Sequence, residues 1–300
     1  MKYWLLALSF LLLAPNLFDF HLVGLPKSNL ETEVFDPKLS QRIQSMSSLE
    51  DFIDSLVEEQ SKTKQINTEL YVGIISSSIS KKFFHGYSHY SLRENWLAAL
   101  AGRFIWYDLS AIVIADDILK YSIAACSQQS IVLMEFFKRK RIPFRKIAFD
   151  HHFAVEGRIN GRWIYFDVNL EPEFLGTHRS FEYLNQENRL QELYKDKLPR
   201  DQIPFLLGNP RYGKINVYPA PKARILHYTL STLSHGLWLF PLFLFGVNLW
   251  NRKKWALNLS SSPAVNSFIF REQKTRNINR EIGKQAYQPA NAVGPPSQGL

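Results

Sequence analysis

Two long runs without a charged residue constrain this chain more than any other feature. They cover residues 3–18 and residues 225–250. A helix that rises about 1.5 Å per residue needs about 20 apolar residues to cross the hydrocarbon core of a bilayer, and the second run exceeds that length. The sequence therefore predicts a transmembrane helix over 225–250, with Trp238 and Trp250 as anchors in the interfacial region.

The N-terminal run is shorter and contains Pro15. No clear small-x-small cleavage site follows it, so we expect residues 1–24 to act either as a cleaved signal peptide or as a retained signal anchor. Both alternatives export the domain that follows.

The net charge of +9 is concentrated near the C-terminus. Residues 251–300 hold eight Lys or Arg and two Glu, which accounts for +6 of the total. Arg252, Lys253 and Lys254 directly follow the second apolar run, and a basic cluster there indicates the cytoplasmic side of a membrane and attracts anionic lipid. We therefore expect membrane lipid, and no nucleic acid, as the partner of this charge. The segment after Ile282 is rich in Gln, Asn, Pro and Gly, which predicts disorder.

Cys126 is the only cysteine in the chain. It cannot form an intramolecular disulfide, and no Cys/His zinc motif can be assembled around it. A single cysteine is either a small buried hydrophobic residue or a reactive thiol. Ile131, Met134 and Phe137 follow it at helical spacing up to Pro143, so we expect Cys126 at the start of a helix. The dipole and the unpaired amides of a first helical turn favour the thiolate.

A β-hairpin is predicted downstream of this helix. Two β-rich runs flank Asn160-Gly161, and Asn-Gly between such runs is the strongest short-range signal for a two-residue type I′ turn. That turn pairs Ile159 with Arg162 and fixes the register of the two strands.

The predicted register brings a base and an acceptor together. His152 and Asp167 then lie diagonally on the same face of neighbouring strands, within reach of each other. A nucleophilic thiol needs a base, and the base needs a group that orients it. The sequence therefore predicts a catalytic triad of Cys126, His152 and Asp167.

Residues 124–169 resemble the transglutaminase-like superfamily, a branch of the papain-like cysteine enzymes that includes bacterial transglutaminase-like cysteine peptidases. The motifs that carry the resemblance are a cysteine that opens a helix, Ile-Pro-x-Arg at 142–145, His-x-x-x-Glu at 152–156 and Trp-x-x-x-Asp at 163–167. The resemblance implies an α+β fold in which the nucleophile helix packs on an antiparallel sheet, here flanked by N- and C-terminal membrane segments. It also implies a thioester intermediate that is released to water or to an amine.

The resemblance further implies a donor for the oxyanion besides the Cys126 backbone N–H. In animal transglutaminases a tryptophan upstream of the cysteine supplies it, which makes Trp96 a candidate here, with Trp106 or Gln128 as alternatives. Core packing is the alternative role for the tryptophan. Arg141 and Ala125 stand where many family members have glycine, and neither change removes a catalytic group.

We expect no cofactor and no metal. His85 and His89 are four residues apart, but the sequence between them does not read as a helix, and a structural polar turn is the favoured interpretation.

Five segments follow from these patterns. They are a signal anchor or signal peptide (1–24), a helical lead-in (25–75), a transglutaminase-like catalytic domain (76–220), a transmembrane helix (225–250) and a basic, largely disordered tail (251–300). Capping-box patterns predict that helices begin near Ser48, with Asp51, and near Ser91, with Glu94.

The expected function is cysteine-dependent acyl transfer outside the cytoplasmic membrane. Its substrate would be a peptide, a protein or another amide-containing molecule of the cell envelope. A non-catalytic binding or scaffold module of a membrane or envelope assembly, in contact with other membrane proteins, is the alternative. A metal hydrolase is a third and more distant hypothesis.

Overall fold

A computed structural model describes residues 3–24, 34–170, 179–187, 189–260, 276 and 279 of the chain. Its residues divide into two compact units. One is Leu11–Leu237, and the other combines Met1–Phe10 with Trp238–Leu300. Most of the tail predicted to be disordered lies outside the described residues, while 251–260 continue a helix.

The described residues form a mixed α+β fold in which most elements are helices. The helices are α1 (Trp4–Leu13), α2 (Pro37–Arg42), α3 (Met46–Ser61), α4 (Thr68–Lys82), α5 (Leu92–Phe104), α6 (Ala115–Ile118), α7 (Cys126–Arg139), α8 (Phe181–Gln186), α9 (Leu190–Leu193), α10 (Gln202–Leu206), α11 (Pro221–Gly236) and α12 (Leu239–Ser260). Short 3₁₀ turns cover Ala14–Leu17 and Tyr107–Ser110.

One antiparallel sheet accompanies the helices. Its strands are β1 (Phe144–Ala148), β2 (Phe153–Ile159), β3 (Arg162–Phe166) and β4 (Arg211–Tyr212), in the order β3-β2-β1-β4. The prediction of an α+β fold with a small antiparallel sheet is confirmed.

The β2–β3 hairpin has the predicted turn and register. Asn160 and Gly161 both have positive φ, 51° and 80°, as a type I′ turn requires. Ile159 pairs with Arg162, and the ladder continues to Val155 opposite Phe166. The register prediction is confirmed.

Helix α7 packs on one face of the sheet, against β1 and β2. Gly157 makes the close approach possible, because a Cβ atom there would lie 2.8 Å from Cζ of Phe137. The same face contributes Val155 and Phe166 to the larger hydrophobic core.

The opposite face of the sheet covers a second, smaller core. Side chains alternate along a strand, so Ala154 and Tyr165 point away from α7. They pack against the short helices α8, α9 and α10, which contribute Phe181, Leu184, Leu190, Leu193, Ile203 and the adjoining Tyr194.

Two helix starts test the capping predictions. Helix α3 begins one turn earlier than predicted, because Ser45 is its N-cap and the Ser48 hydroxyl accepts from Ser45 N at 2.9 Å. The prediction at Ser48 was therefore wrong in its boundary: the Ser45/Ser48 pair competes with Ser48/Asp51 and forms the cap. At α5 the prediction is confirmed, since Glu94 Oε2 accepts from Ser91 N at 3.0 Å.

Among the described residues, one helical stretch, Pro221–Lys254, which comprises α11 and most of α12, is long and apolar enough to cross a membrane. Trp4–Leu17 is apolar but shorter. Within the unit Leu11–Leu237, α11 packs on α5. The buried Ser234 of α11 makes two hydrogen bonds to α5. Its Oγ accepts from Leu97 N at 3.1 Å and donates to Asn95 Oδ1 at 3.1 Å.

Candidate active site

Cys126 is the first residue of α7, as predicted. Ala125 before it is extended, with φ −70° and ψ 163°, and Lys138 and Arg139 lie in the last turn, where they complement the helix dipole. The thiol is free and half-buried. An accessible sulfur next to the unpaired amides of a first helical turn is the setting in which a thiolate is favoured.

Gln128 fixes the start of this helix. Its Oε1 accepts from Ala125 N at 3.1 Å and from Ser88 N at 3.0 Å. Its Nε2 donates to Ser88 O at 3.0 Å and to Ile112 O at 2.9 Å. Because both amide hydrogens bond to backbone carbonyls, we do not assign the role of oxyanion donor to Gln128. Its side chain connects the start of the nucleophile helix to the preceding loops.

Trp96 also has a structural partner. Its indole Nε1 donates to Ser234 O at 2.9 Å, which holds α5 against α11. The Trp96 side chain is buried and does not line the cavity at Cys126. We assign the role of oxyanion donor neither to Trp96 nor to Trp106, which is exposed and does not line this cavity. The backbone N–H of Cys126 is then the donor that remains of those named from the sequence.

His152 and Asp167 meet just beyond the β2–β3 ladder. His152 Nε2 lies 2.8 Å from Asp167 Oδ2, and both side chains are buried. A carboxylate only accepts, so Nε2 carries the proton, and Nδ1 is the nitrogen left for the thiol. Cys126 and His152 line the same cavity, and the thiol is one of the groups that raise the pKa of His152. The three predicted catalytic residues are therefore brought together.

Electrostatics favour the protonated imidazole. Burial lowers the pKa of His152, but the charge of Asp167, the hydrogen bond to it and the Cys126 thiol outweigh burial and raise this pKa from 6.5 to about 10. Burial raises the pKa of Asp167, while the charge and hydrogen bond of His152 and further donors hold it below its usual value. The site thus holds a protonated imidazole next to the Cys126 thiol.

Asp167 is held by more than the histidine. Its Oδ1 accepts from the backbone N–H groups of Asn169 and Leu170, at 3.2 and 3.1 Å. Its Oδ2 also accepts from the Tyr194 hydroxyl at 2.6 Å. Asn169 thus acts on Asp167 through its main-chain N–H.

Two tyrosines complete this network, and the sequence analysis gave a role to neither. The hydroxyls of Tyr165 and Tyr194 lie 2.7 Å apart. Since Tyr194 donates to Asp167, its one hydrogen is used and Tyr165 must be the donor between the two. Strand alternation in the predicted register places Tyr165 on the face of Asp167. No sequence signal marks Tyr194, because packing of the second core brings it there.

The thiol and the imidazole open onto a cavity of about 410 Å³. Apolar and basic side chains from several elements surround it: Val34, Ser80, Phe83, His85, His151, Asn169, Leu170, Lys197 and Leu206. His85, interpreted from sequence as part of a structural turn, is thus a wall of the cavity. His151 stacks on Phe205 with ring centroids 4.1 Å apart.

The second histidine of that sequence motif has a structural role. His89 is buried, its Nδ1 lies 2.8 Å from Ser110 Oγ, and its ring lies 4.3 Å from that of Tyr107. In the part of the chain that the structure describes, no group of three or more His, Cys, Asp or Glu could hold a metal ion.

Comparisons with protein-family models, with curated proteins and with solved structures find no match for this chain. The chemistry of the site follows from its geometry. The site has a half-buried thiol at a helix start, an imidazole whose protonated form is stabilised by a buried carboxylate, and an open cavity. Together these features supply what nucleophilic attack on an acyl carbon requires.

Proposed function

We propose that this protein is a membrane-anchored cysteine enzyme of the transglutaminase-like type, which transfers acyl groups through a thioester on Cys126. The observation that carries the proposal is the His152–Asp167 pair, whose histidine lines one open cavity together with Cys126 at the start of α7. Helix α7 on an antiparallel sheet supports the family resemblance, and the apolar stretch Pro221–Lys254 supports anchoring. The basic residues 252–254 support the extracytoplasmic side for the domain.

Acylation begins when the Cys126 thiolate attacks the carbonyl carbon of an amide. A C–S bond forms, and the negative charge moves to the carbonyl oxygen, for which the fold offers the backbone N–H of Cys126. His152 then donates its proton to the leaving nitrogen as the C–N bond breaks. The products are an amine and a thioester, and His152 is neutral at this stage.

Deacylation restores the ion pair. Water or a second amine attacks the thioester carbon, and His152 accepts the proton that the attacking group loses. The C–S bond breaks, and the thiolate leaves with an acid or a new amide as the product. Asp167 keeps Nε2 of His152 occupied in both steps, so that Nδ1 is the nitrogen that exchanges protons.

The substrate is proposed to be a peptide, a protein or another amide of the cell envelope. The cavity at Cys126 is open and has both apolar and basic walls, which suits an extended chain with polar groups better than a small apolar molecule.

Thiol labelling tests the proposal. The alkylation rate of Cys126 by iodoacetamide is measured on the full chain in detergent micelles between pH 5 and 9. A Cys126→Ser, Glu58→Cys variant places the only thiol on an exposed part of α3 and serves as the control. At pH 6 we expect Cys126 to react at least about tenfold faster than this control, and His152→Ala to abolish the difference.

Equal rates for Cys126 and the control cysteine, unchanged in His152→Ala, would contradict the proposal. They would favour the scaffold role, in which the thiol is one packing group among others. An acyl adduct on Cys126, found by mass spectrometry after incubation with envelope peptides, would identify the substrate class.

A further inference from the structure

Large apolar side chains are exposed on the unit Leu11–Leu237. The most exposed is Ile105, with 78% of its surface accessible, and Phe104 follows with 76%; Trp106 is 62% exposed. We call the group the aromatic patch, and its members are Leu17, Phe18, Phe20, Phe104, Ile105, Trp106 and Tyr107. Soluble monomers rarely expose so many large apolar side chains together, so we expect another molecule or surface to cover the patch.

The members of the patch come from two segments that meet. The 3₁₀ turn Ala14–Leu17 packs on α5, and Leu92 N donates to Phe20 O at 2.9 Å. Residues 22–24 and 102–107 line one shallow depression. The N-terminal segment therefore follows α5 from Phe20 at the start of the helix to residues 22–24 beside residues 104–107 at its end, and the patch lies along this line.

The chain leaves this unit at two points, and these lie side by side. At one end is Leu11, which leads into α1, and at the other is Leu237, which leads into the apolar part of α12. The Asn16 side chain donates to Ser234 O at 3.0 Å, and so joins the two exits. Trp96 Nε1 donates to the same carbonyl, which places α5 at this point too.

We infer that the aromatic patch contacts the lipid bilayer, with its rings in the interfacial layer. This inference rests on the proposed membrane anchoring. Both apolar segments start from one place on the unit, and the patch begins at the neighbouring residue, Leu17. Trp106 and Tyr107 have the amphipathic rings that favour the headgroup region, and Arg103 beside them suits anionic lipid.

The experiment uses single cysteines in a Cys126→Ser background, so that it does not depend on acyl transfer. Trp106→Cys and the control Glu58→Cys are each labelled with an environment-sensitive fluorophore. The full chain is reconstituted in nanodiscs of phosphatidylcholine and phosphatidylglycerol that contain a headgroup-level spin-labelled lipid. We expect the label at 106 to lose more than about half of its fluorescence, as a probe in the interfacial layer does, and the label at 58 to be unaffected.

Iodide in the aqueous phase gives the complementary result. It should quench the label at 58 strongly and the label at 106 several-fold less. Ile105→Cys, at a more exposed position, repeats the measurement if Trp106→Cys does not fold. Lipid quenching that is equal at 106 and 58 overturns the inference. Protection from iodide without lipid quenching also overturns it, since a second copy or another protein would then cover the patch.

Failure of the chain to co-purify with nanodiscs also overturns the inference, together with the proposed anchoring. None of these outcomes touches the alkylation rate of Cys126, so failure of the patch and failure of the catalytic proposal are separate results.

Discussion

The Tyr194 hydroxyl and the His152 imidazole share one oxygen of Asp167, Oδ2, at 2.6 and 2.8 Å. Two short bonds to the same atom mean that Tyr194 helps to set both the position and the charge of the carboxylate that orients the base. Tyr194 is thus a positioning residue in the proposed mechanism.

Tyr194→Phe should weaken the site without removing a catalytic group. The variant removes one hydrogen bond to the carboxylate and leaves the Tyr165 hydroxyl without its acceptor. We expect a loss of roughly 1–3 kcal/mol in stability and a rise in the pKa of Asp167, because the hydrogen bond from Tyr194 lowers it in the wild type. The alkylation rate of Cys126 against pH is the measurement, and its profile should change shape rather than only fall in height.

Tyr183→Phe is the matched control, because Tyr183 lies exposed on α8. A profile that keeps its shape in Tyr194→Phe, at reduced stability, would assign Tyr194 to packing alone.

Asp167→Asn should remove a pH-dependent part of the stability. The pKa of His152 is about 10 in the folded state, against the ordinary value of 6.5 in the unfolded chain. Stabilisation of the imidazolium is therefore complete below about pH 6.5 and is lost as pH rises toward 10. The Asp167 carboxylate stays ionised throughout this window, because its folded pKa is below its usual value.

The unfolding midpoint of wild type and Asp167→Asn in detergent, followed by tryptophan fluorescence at pH 6, 8 and 10, measures this effect. The difference between the two proteins should shrink as pH rises. A difference that does not vary with pH would show that the pair carries no excess proton in the folded state.

Lys82 should give the stability of the fold the opposite dependence on pH. It is buried, and its Nζ donates only to backbone carbonyls in the described residues, Ser40 O at 3.2 Å and Tyr121 O at 3.0 Å. Burial lowers the pKa of Lys82 from 10.5 to about 7. The unfolded chain holds more protons between these values, so this residue makes stability rise with pH from about 7 to 10.5.

Lys82→Met should remove that rise. Lys81→Met, at an exposed position of the same turn, should leave it unchanged. The measurement is the slope of the unfolding midpoint against pH for both variants. The same slope in both would mean that Lys82 stays charged in the fold.

Gly157→Ala should destabilise the contact between α7 and the sheet. The added methyl group would lie 2.8 Å from Phe137 Cζ, well inside van der Waals contact. We expect a cost of about 1–3 kcal/mol, which Phe137→Leu in the double variant should partly relieve. Gly24→Ala, which meets nothing within 4 Å, is the control. Equal melting of Gly157→Ala and wild type would mean that α7 can shift at no cost.

Local signals predicted the parts of the site that local structure determines. Asn160-Gly161 fixed the hairpin register, and with it the meeting of His152 and Asp167, because a two-residue turn leaves one pairing. Helical spacing after Cys126 predicted the start of α7, because this periodicity is also a local property of the sequence.

Residues whose role depends on distant packing could not be predicted. Tyr194 reaches Asp167 only because the second core forms, and Gln128 binds loops that lie far from it in sequence. The side-chain N–H groups of Trp96 and Gln128 likewise donate to backbone carbonyls that are distant in sequence, and no local pattern predicts these bonds. At α3 the competing cap was local, and Ser45 rather than Ser48 begins the helix because Ser45/Ser48 bond reciprocally.

The solitary thiol at the start of α7 has a consequence for oxidation. Cys126 is accessible, and the chain contains no second cysteine that could resolve an oxidised sulfur. A sulfenic acid formed there can return to the thiol only through a small external thiol or a thiol of another molecule, and further oxidation is irreversible. The redox recovery of this site therefore depends on the surroundings of the protein and not on the chain itself.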